Sequence, residues 1–160
     1  MRALVLCSLL TFGSVLASGA EKYSGPRPPK ADLPYLLHAD NLLATETAVA
    51  KDETKKDTQV ALIDGVASSA KTPLSEPIFI FRSDKIPADK MAAYKLEVKD
   101  GKRQVVVGAK KQKNVSRSIH LMVTRLDANL YRIEVDEPLE PGEYTLSPDG
   151  SNDTFSFAVY

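Results

Sequence analysis

Hydrophobic and polar positions alternate along the second half of the chain. Tyr94, Leu96 and Val98 alternate with Lys95, Glu97 and Lys99, the period of a strand with one dry and one wet face. Ile119, Leu121 and Val123 alternate in the same way with His120, Met122 and Thr124. Pro77–Arg82, Leu130–Val135, Tyr144–Leu146 and Thr154–Val159 read as further short strands, and Val105–Val107 returns beyond the Asp100-Gly101 turn. Asp127-Ala128-Asn129 and Pro148-Asp149-Gly150 mark two more turns. About seven short strands at near-regular spacing between residues 76 and 160 predict an antiparallel β-sandwich core.

Upstream the pattern is weaker. In residues 35–75, Leu36, Leu43, Thr47 and Ala50 fit a helical stripe, while Thr45, Thr47 and Val49 fit strand alternation. A long hairpin is the favoured reading, with the charged stretch Lys51–Asp57 as its solvated turn and Gln59–Gly65 as the returning strand. A helix followed by a strand is the alternative. Residues 21–34 hold Pro26, Pro28, Pro29 and Pro34, which exclude helix because each proline fixes φ and removes a donor. This Pro-rich lead is expected to be an extended tether or a strap packed on the domain.

Arg2, an uncharged apolar run from Ala3 to Leu16 and the small residues Ala17-Ser18-Gly19-Ala20 follow the order of a secretory signal peptide, assigned to residues 1–20. The run is shorter than the roughly 20 apolar residues of a membrane span, and no later stretch is long enough. Export to the periplasm or the extracellular space is therefore expected. The only cysteine, Cys7, leaves with the peptide, so stability must come from burial rather than disulfides. The chain has 21 Lys+Arg and 21 Asp+Glu; losing Arg2 leaves 20 against 21, a net charge of −1. Near-neutrality argues against a general preference for nucleic acid.

Leu139-Glu140-Pro141-Gly142-Glu143-Tyr144 resembles the tyrosine corner of immunoglobulin-like and fibronectin type III sandwiches. The resemblance implies an all-β, immunoglobulin-like antiparallel sandwich in which the Tyr144 hydroxyl bonds back to upstream backbone. It implies nothing of function. The Pro141-Gly142-x-Tyr144-Thr145 strand and the final Phe155-x-Phe157-x-Val159 strand also resemble the end of periplasmic copper-carrier domains. The copper ligands do not follow, since His38, His120, Met91 and Met122 are scattered and the mature terminus is Glu21. More widely, the chain resembles uncharacterised exported bacterial proteins, which carries no activity with it.

The mature chain has no Cys and no Gly-x-Ser-x-Gly elbow, so a nucleophile is not in evidence and a non-enzymatic role without cofactor is expected. A hydrolase would need His38, near Asp40, as base; His120 is expected to face solvent. Asp149–Asp153 spaces oxygens like a calcium loop, but Thr154 stands where that loop needs Gly and Tyr160 where it needs Glu, so a hairpin turn is expected. Asn114-Val115-Ser116 and Asn152-Asp153-Thr154 are glycosylation sequons that matter only in a eukaryote. A membrane barrel fits poorly, because Phe155, Phe157 and Val159 are out of phase with the terminal Tyr160.

Charge is uneven. The 99–117 region is basic, with Lys102, Arg103, Lys110, Lys111, Lys113 and Arg117 as candidates for binding an anionic partner such as lipid, glycan or acidic protein. The competing reading is a lysine-guarded edge strand. Aromatic residues do not interleave with these bases, which counts against single-stranded nucleic acid. Two roles follow as expectations: binding or assembly in the cell envelope, or carriage or sensing of a small or anionic ligand through the basic region. Mass spectrometry of the protein recovered from its native source should find Glu21 at the terminus. A mass retaining residues 1–20 would refute cleavage, and one beginning at Ser18 would move the site to Ala17.

Overall fold

The computed structural model describes residues 23–55, 58–107 and 115–160; the signal-peptide assignment and Lys110, Lys111 and Lys113 lie outside the described residues. The chain is all-β, built from two antiparallel sheets whose strands are numbered in chain order. A five-stranded sheet runs in the order β11 (Leu121–Asp127), β12 (Leu130–Val135), β7 (Ile78–Arg82), β1 (Pro34–His38), β2 (Asn41–Ala44). The second sheet follows the path β3 (Glu46–Val49), β14 (Asp153–Val159), β13 (Gly142–Pro148), β8 (Met91–Lys99), β9 (Lys102–Val107), β5 (Thr58–Asp64), β4 (Lys51–Lys55). Two short strands sit beside it, β6 (Lys71–Thr72) parallel to β14 and β10 (Ser118–Ile119) against β8.

Among the described residues, 35–75 contain strands and no helix. Within the charged stretch, Lys51–Lys55 is itself a strand that pairs Lys51 with Leu62 and Lys55 with Thr58. Exposure explains how. Along Glu46–Ala50 the even positions are half-buried or buried and the odd ones exposed, and from Lys51 to Thr54 every side chain is exposed, so charge does not break the strand. The expected Asp100-Gly101 hairpin is present, with both residues at positive φ (52° and 77°), as a two-residue turn of that hand requires.

The sandwich core lies between the two sheets. Leu36, Phe79, Phe81 and Ile133 from the five-stranded sheet meet Ala93, Leu146, Phe155 and Phe157 from β8, β13 and β14. Phe79 meets Phe157 edge-on with ring centroids 5.1 Å apart, and Tyr144 stacks on Phe157 at 5.6 Å. Each fully buried phenylalanine contributes about 1.5–3 kcal/mol. The Tyr144 hydroxyl donates to the Glu140 carbonyl at 2.7 Å, the backward bond of a tyrosine corner. Burial of this ring raises its hydroxyl pKa.

The second sheet closes on itself. The strands at the two ends of its path, β3 and β4, are consecutive in the chain and separated by Ala50 alone, whose N–H donates to the Asn152 carbonyl at 2.8 Å. β13 and β14 are thereby covered twice: one face lines the sandwich core, the other lines the closed interior. Every residue of β14 from Thr154 to Val159 is buried. Ala48, Ala50, Ala61, Ile63, Leu96 and Val105 form a second apolar cluster on that interior face. Val98, expected on the buried face of β8, is instead 48% exposed, because β13 pairs with β8 only as far as Leu96 and leaves Val98 beyond cover.

The Pro-rich lead is a strap. Asp32 accepts hydrogen bonds from the backbone N–H groups of Asp84, Lys85 and Ile86, Arg82 donates to the Pro29 carbonyl at 3.0 Å, and Arg27 pairs with Asp127 at 2.6 Å. Arg82 stands in the same row of the outer face as Ile80, and Ile80, Leu130 and Tyr35 are buried there, as is Pro28 of the strap. Tyr144→Phe should keep the fold and lower stability by about 1 kcal/mol, seen as a lower urea midpoint with an unchanged slope. No change in midpoint would show that the corner bond adds nothing to stability.

Candidate functional site

The closed interior has a plugged end and an open end. At the plugged end Arg103 is buried, although its position in a basic hairpin marked it for solvent. Val105 and Arg103 point to the same face of β9, so the strand that sends Val105 into the apolar cluster must send Arg103 inside too. Its guanidinium pairs with Glu46 at 2.5 Å and donates to the Ser68 hydroxyl at 2.7 Å and the carbonyls of Asp64 and Gly65 at 2.9 and 3.2 Å. Glu143 lies 3.8 Å from the guanidinium and accepts from the Ser68 N–H at 2.9 Å. Burial alone would push the Glu46 carboxyl up; hydrogen bonds from Arg103 and the Ser69 N–H outweigh it and hold the carboxyl below its ordinary 4.5.

Above this plug lies a cavity of about 690 Å³. Its apolar wall comes from Ala50, Ala61 and Val105, its polar wall from Tyr94, Thr145 and Thr154, and its mouth from Ser116–Ser118, the 147–152 turn and Asp52. The space exists because the strands there carry small side chains. Where β9 diverges from β8, residues 116–119 seal the gap. The Ser116 N–H donates to the Val106 carbonyl at 3.0 Å, the Val106 N–H donates to the Ser116 hydroxyl at 3.1 Å, and Ser118 and Ile119 pair with Tyr94 and Ala93. Burial raises the Tyr94 hydroxyl pKa, and the Asp149 carboxylate adds to the rise. Asn152 Nδ2 donates to Asp52 at 3.0 Å across the rim. Ser156 is buried on the same strand face, between Thr145 and Glu46, and its hydroxyl has no hydrogen-bond partner among the described residues.

Of the six bases singled out in the sequence, the three among the described residues differ in their partners. Arg103 is internal, Lys102 lies 3.4 Å from Asp64, and Arg117 pairs with Glu137 at 2.5 Å on the cavity rim. His38 is hydrogen-bonded to the Thr72 hydroxyl at 3.0 Å rather than to Asp40. His120 faces solvent, and its ring pairs with Asp136 at 3.0 Å. Neither histidine lines the cavity. In the 149–153 segment the Ser151 hydroxyl bonds Asp153, as befits a turn, and among the described residues no group of three or more His, Cys, Asp or Glu is placed to hold a metal ion.

Sequence reasoning did not place Tyr94, Thr145, Thr154, Asp52 or Asn152 in a ligand site; Asn152 and Thr154 drew notice only within a sequon and a calcium-like loop. The available signal was faint: Thr145, Thr154 and Ser156 are small hydroxyl residues at alternating positions inside otherwise apolar strands, where a solvent face would carry Lys or Glu. Comparison with known proteins finds no matching family model, no similar curated protein and no similar solved structure.

Arg103→Met should lower stability at pH 7 by about 3–5 kcal/mol, since it strands two carboxylates without their cation. The stability contributed by Glu46, whose folded pKa is lowered, is present above 4.5 and lost as pH falls through the lowered folded value. Urea melts should therefore show the gap between wild type and variant narrowing below pH 4.5. A gap that stays constant with pH would assign the loss to packing instead.

Proposed function

We propose that the chain is an exported, non-enzymatic binding protein that holds a small ligand inside its closed sheet. The observation that carries this reading is the cavity of about 690 Å³, within the roughly 300–1,000 Å³ range of small-molecule sites. Its lining also has the usual make-up, apolar walls from Ala50, Ala61 and Val105 with a few convergent polar groups such as Tyr94 and Thr145. Export is supported by the basic, apolar and small-residue order of the first 20 residues. The immunoglobulin-like relation is supported by the Tyr144-to-Glu140 bond at the predicted corner.

A non-catalytic role is favoured by the placement of the histidines, one tied to Thr72 and one on the surface beside Asp136. Binding to an anionic envelope partner through the 99–117 bases is the second reading. Internal commitment of Arg103 and pairing of Lys102 and Arg117 weaken it relative to the cavity. Native mass spectrometry of protein purified from its own source tests the first reading. Wild type should retain a small molecule that Ser118→Trp loses, because Ser118 is an exposed rim residue where an indole narrows the mouth without disturbing the core. An equal load in both proteins, with equal thermal melts, would count against the cavity as the binding site.

A further inference from the structure

The polarity of the cavity wall defines the ligand more narrowly, given that the cavity is a binding site. Three hydroxyls on the wall have their protons committed to backbone carbonyls: Thr154 to Ala48 at 2.9 Å, Thr145 to Leu146 at 3.1 Å and Ser147 to Asp153 at 2.8 Å. What they turn towards the space is lone pairs, so this part of the wall accepts. The Tyr94 hydroxyl makes no hydrogen bond with a described residue and supplies a donor on the same wall. Asn152 gives Nδ2 to Asp52 and keeps its side-chain oxygen Oδ1 as an acceptor at the rim.

Charge at the site is confined to its rim. Asp52 accepts from the neutral Asn152 amide and keeps its charge, while the guanidinium of Arg117 is paired with Glu137. The two exposed carboxylates of the lining, Asp52 and Asp149, stand at the mouth and the turn rather than in the depth. A charged ligand would enter a wall of neutral hydroxyls without a counter-ion inside, at a desolvation cost the site does not offset. An uncharged ligand rich in hydroxyl donors matches the acceptors directly. The lining also contains one aromatic ring, Tyr94, beside the aliphatic Val105 and Ala61, and the weakly polar C–H face of a sugar ring packs on such a surface.

From these features we infer that the cavity takes a neutral saccharide of one or two rings, with ring C–H groups against Tyr94 and hydroxyls donating to Thr145, Thr154 and Asp52. The preference would come from acceptors fixed by strands rather than by loops, because Thr145 and Thr154 both belong to strands packed on two sides. Such groups are held in place before the ligand arrives, which reduces the ordering cost of binding.

Isothermal titration of the mature protein against neutral mono- and disaccharides, spermidine and citrate tests the inference. The expected result is one-to-one binding of a neutral saccharide that Ser118→Trp abolishes and Tyr94→Ala weakens by about tenfold or more, a change of about 1.4 kcal/mol, with Tyr94→Phe intermediate. Spermidine or citrate binding in preference, still abolished by Ser118→Trp, would overturn the saccharide class and leave the cavity as a ligand site. Binding of a saccharide that Ser118→Trp does not change would overturn both readings. Failure of every saccharide, with a small molecule still retained by wild type and lost from Ser118→Trp in native mass spectrometry, would overturn the saccharide class alone.

Discussion

Burial of β13 and β14 on both faces is the constraint on which the rest of the structure depends. A strand in a two-layer sandwich ordinarily turns one face to the core and the other to water. Here the face of β14 that would meet water carries Thr154, Ser156 and Ala158, all buried, while Phe155, Phe157 and Val159 fill the sandwich core. Something must cover the hydroxyl face, and the chain does it by bending the same sheet round until β3 and β4 join its ends. Closure also disposes of two sheet edges that would otherwise invite pairing with another chain.

The cavity and the plug are two consequences of that closure. A closed sheet of few strands is normally filled by its own side chains. Alanines at 48, 50 and 61 and threonines at 145 and 154 are too small to fill this one, so space remains at the open end. At the other end the long Arg103 side chain occupies the lumen, and its donors meet Glu46, Ser68 and the carbonyls of Asp64 and Gly65. A buried ion pair is weak ground for extra stability, because desolvation offsets most of the Coulomb gain. Its geometric effect is firmer: five-donor forks need partners in fixed places, and here those partners bring the 64–69 loop over the end of the sheet.

The sandwich half of the fold was legible because its strands obey period-two alternation with water on one side. Leu121–Thr124 is of this kind, and the tyrosine corner was legible through Pro141-Gly142 at its fixed offset from Tyr144. The closed half was legible only in part: β8 shows the alternation, but β14 has no wet face to supply contrast, and β4 carries Lys51, Asp52, Glu53 and Lys55, which read as a solvated turn although strand pairing with β5 holds them. Arg103 was misplaced for a related reason. Composition marks an arginine between lysine and glutamine as surface, while register with Ile63 turns it inwards. Register is a property of the pairing, so a single strand cannot reveal it.

The site was missed on the same ground. A cavity is made by what side chains leave out, and small residues at 50, 61, 145 and 154 announce nothing until three strands are laid side by side. The basic run was conspicuous by comparison, yet its described members satisfy their charge within the molecule. In the proposed reading a ligand is selected by the orientation of neutral hydroxyls, fixed because their protons already bond the strands that carry them.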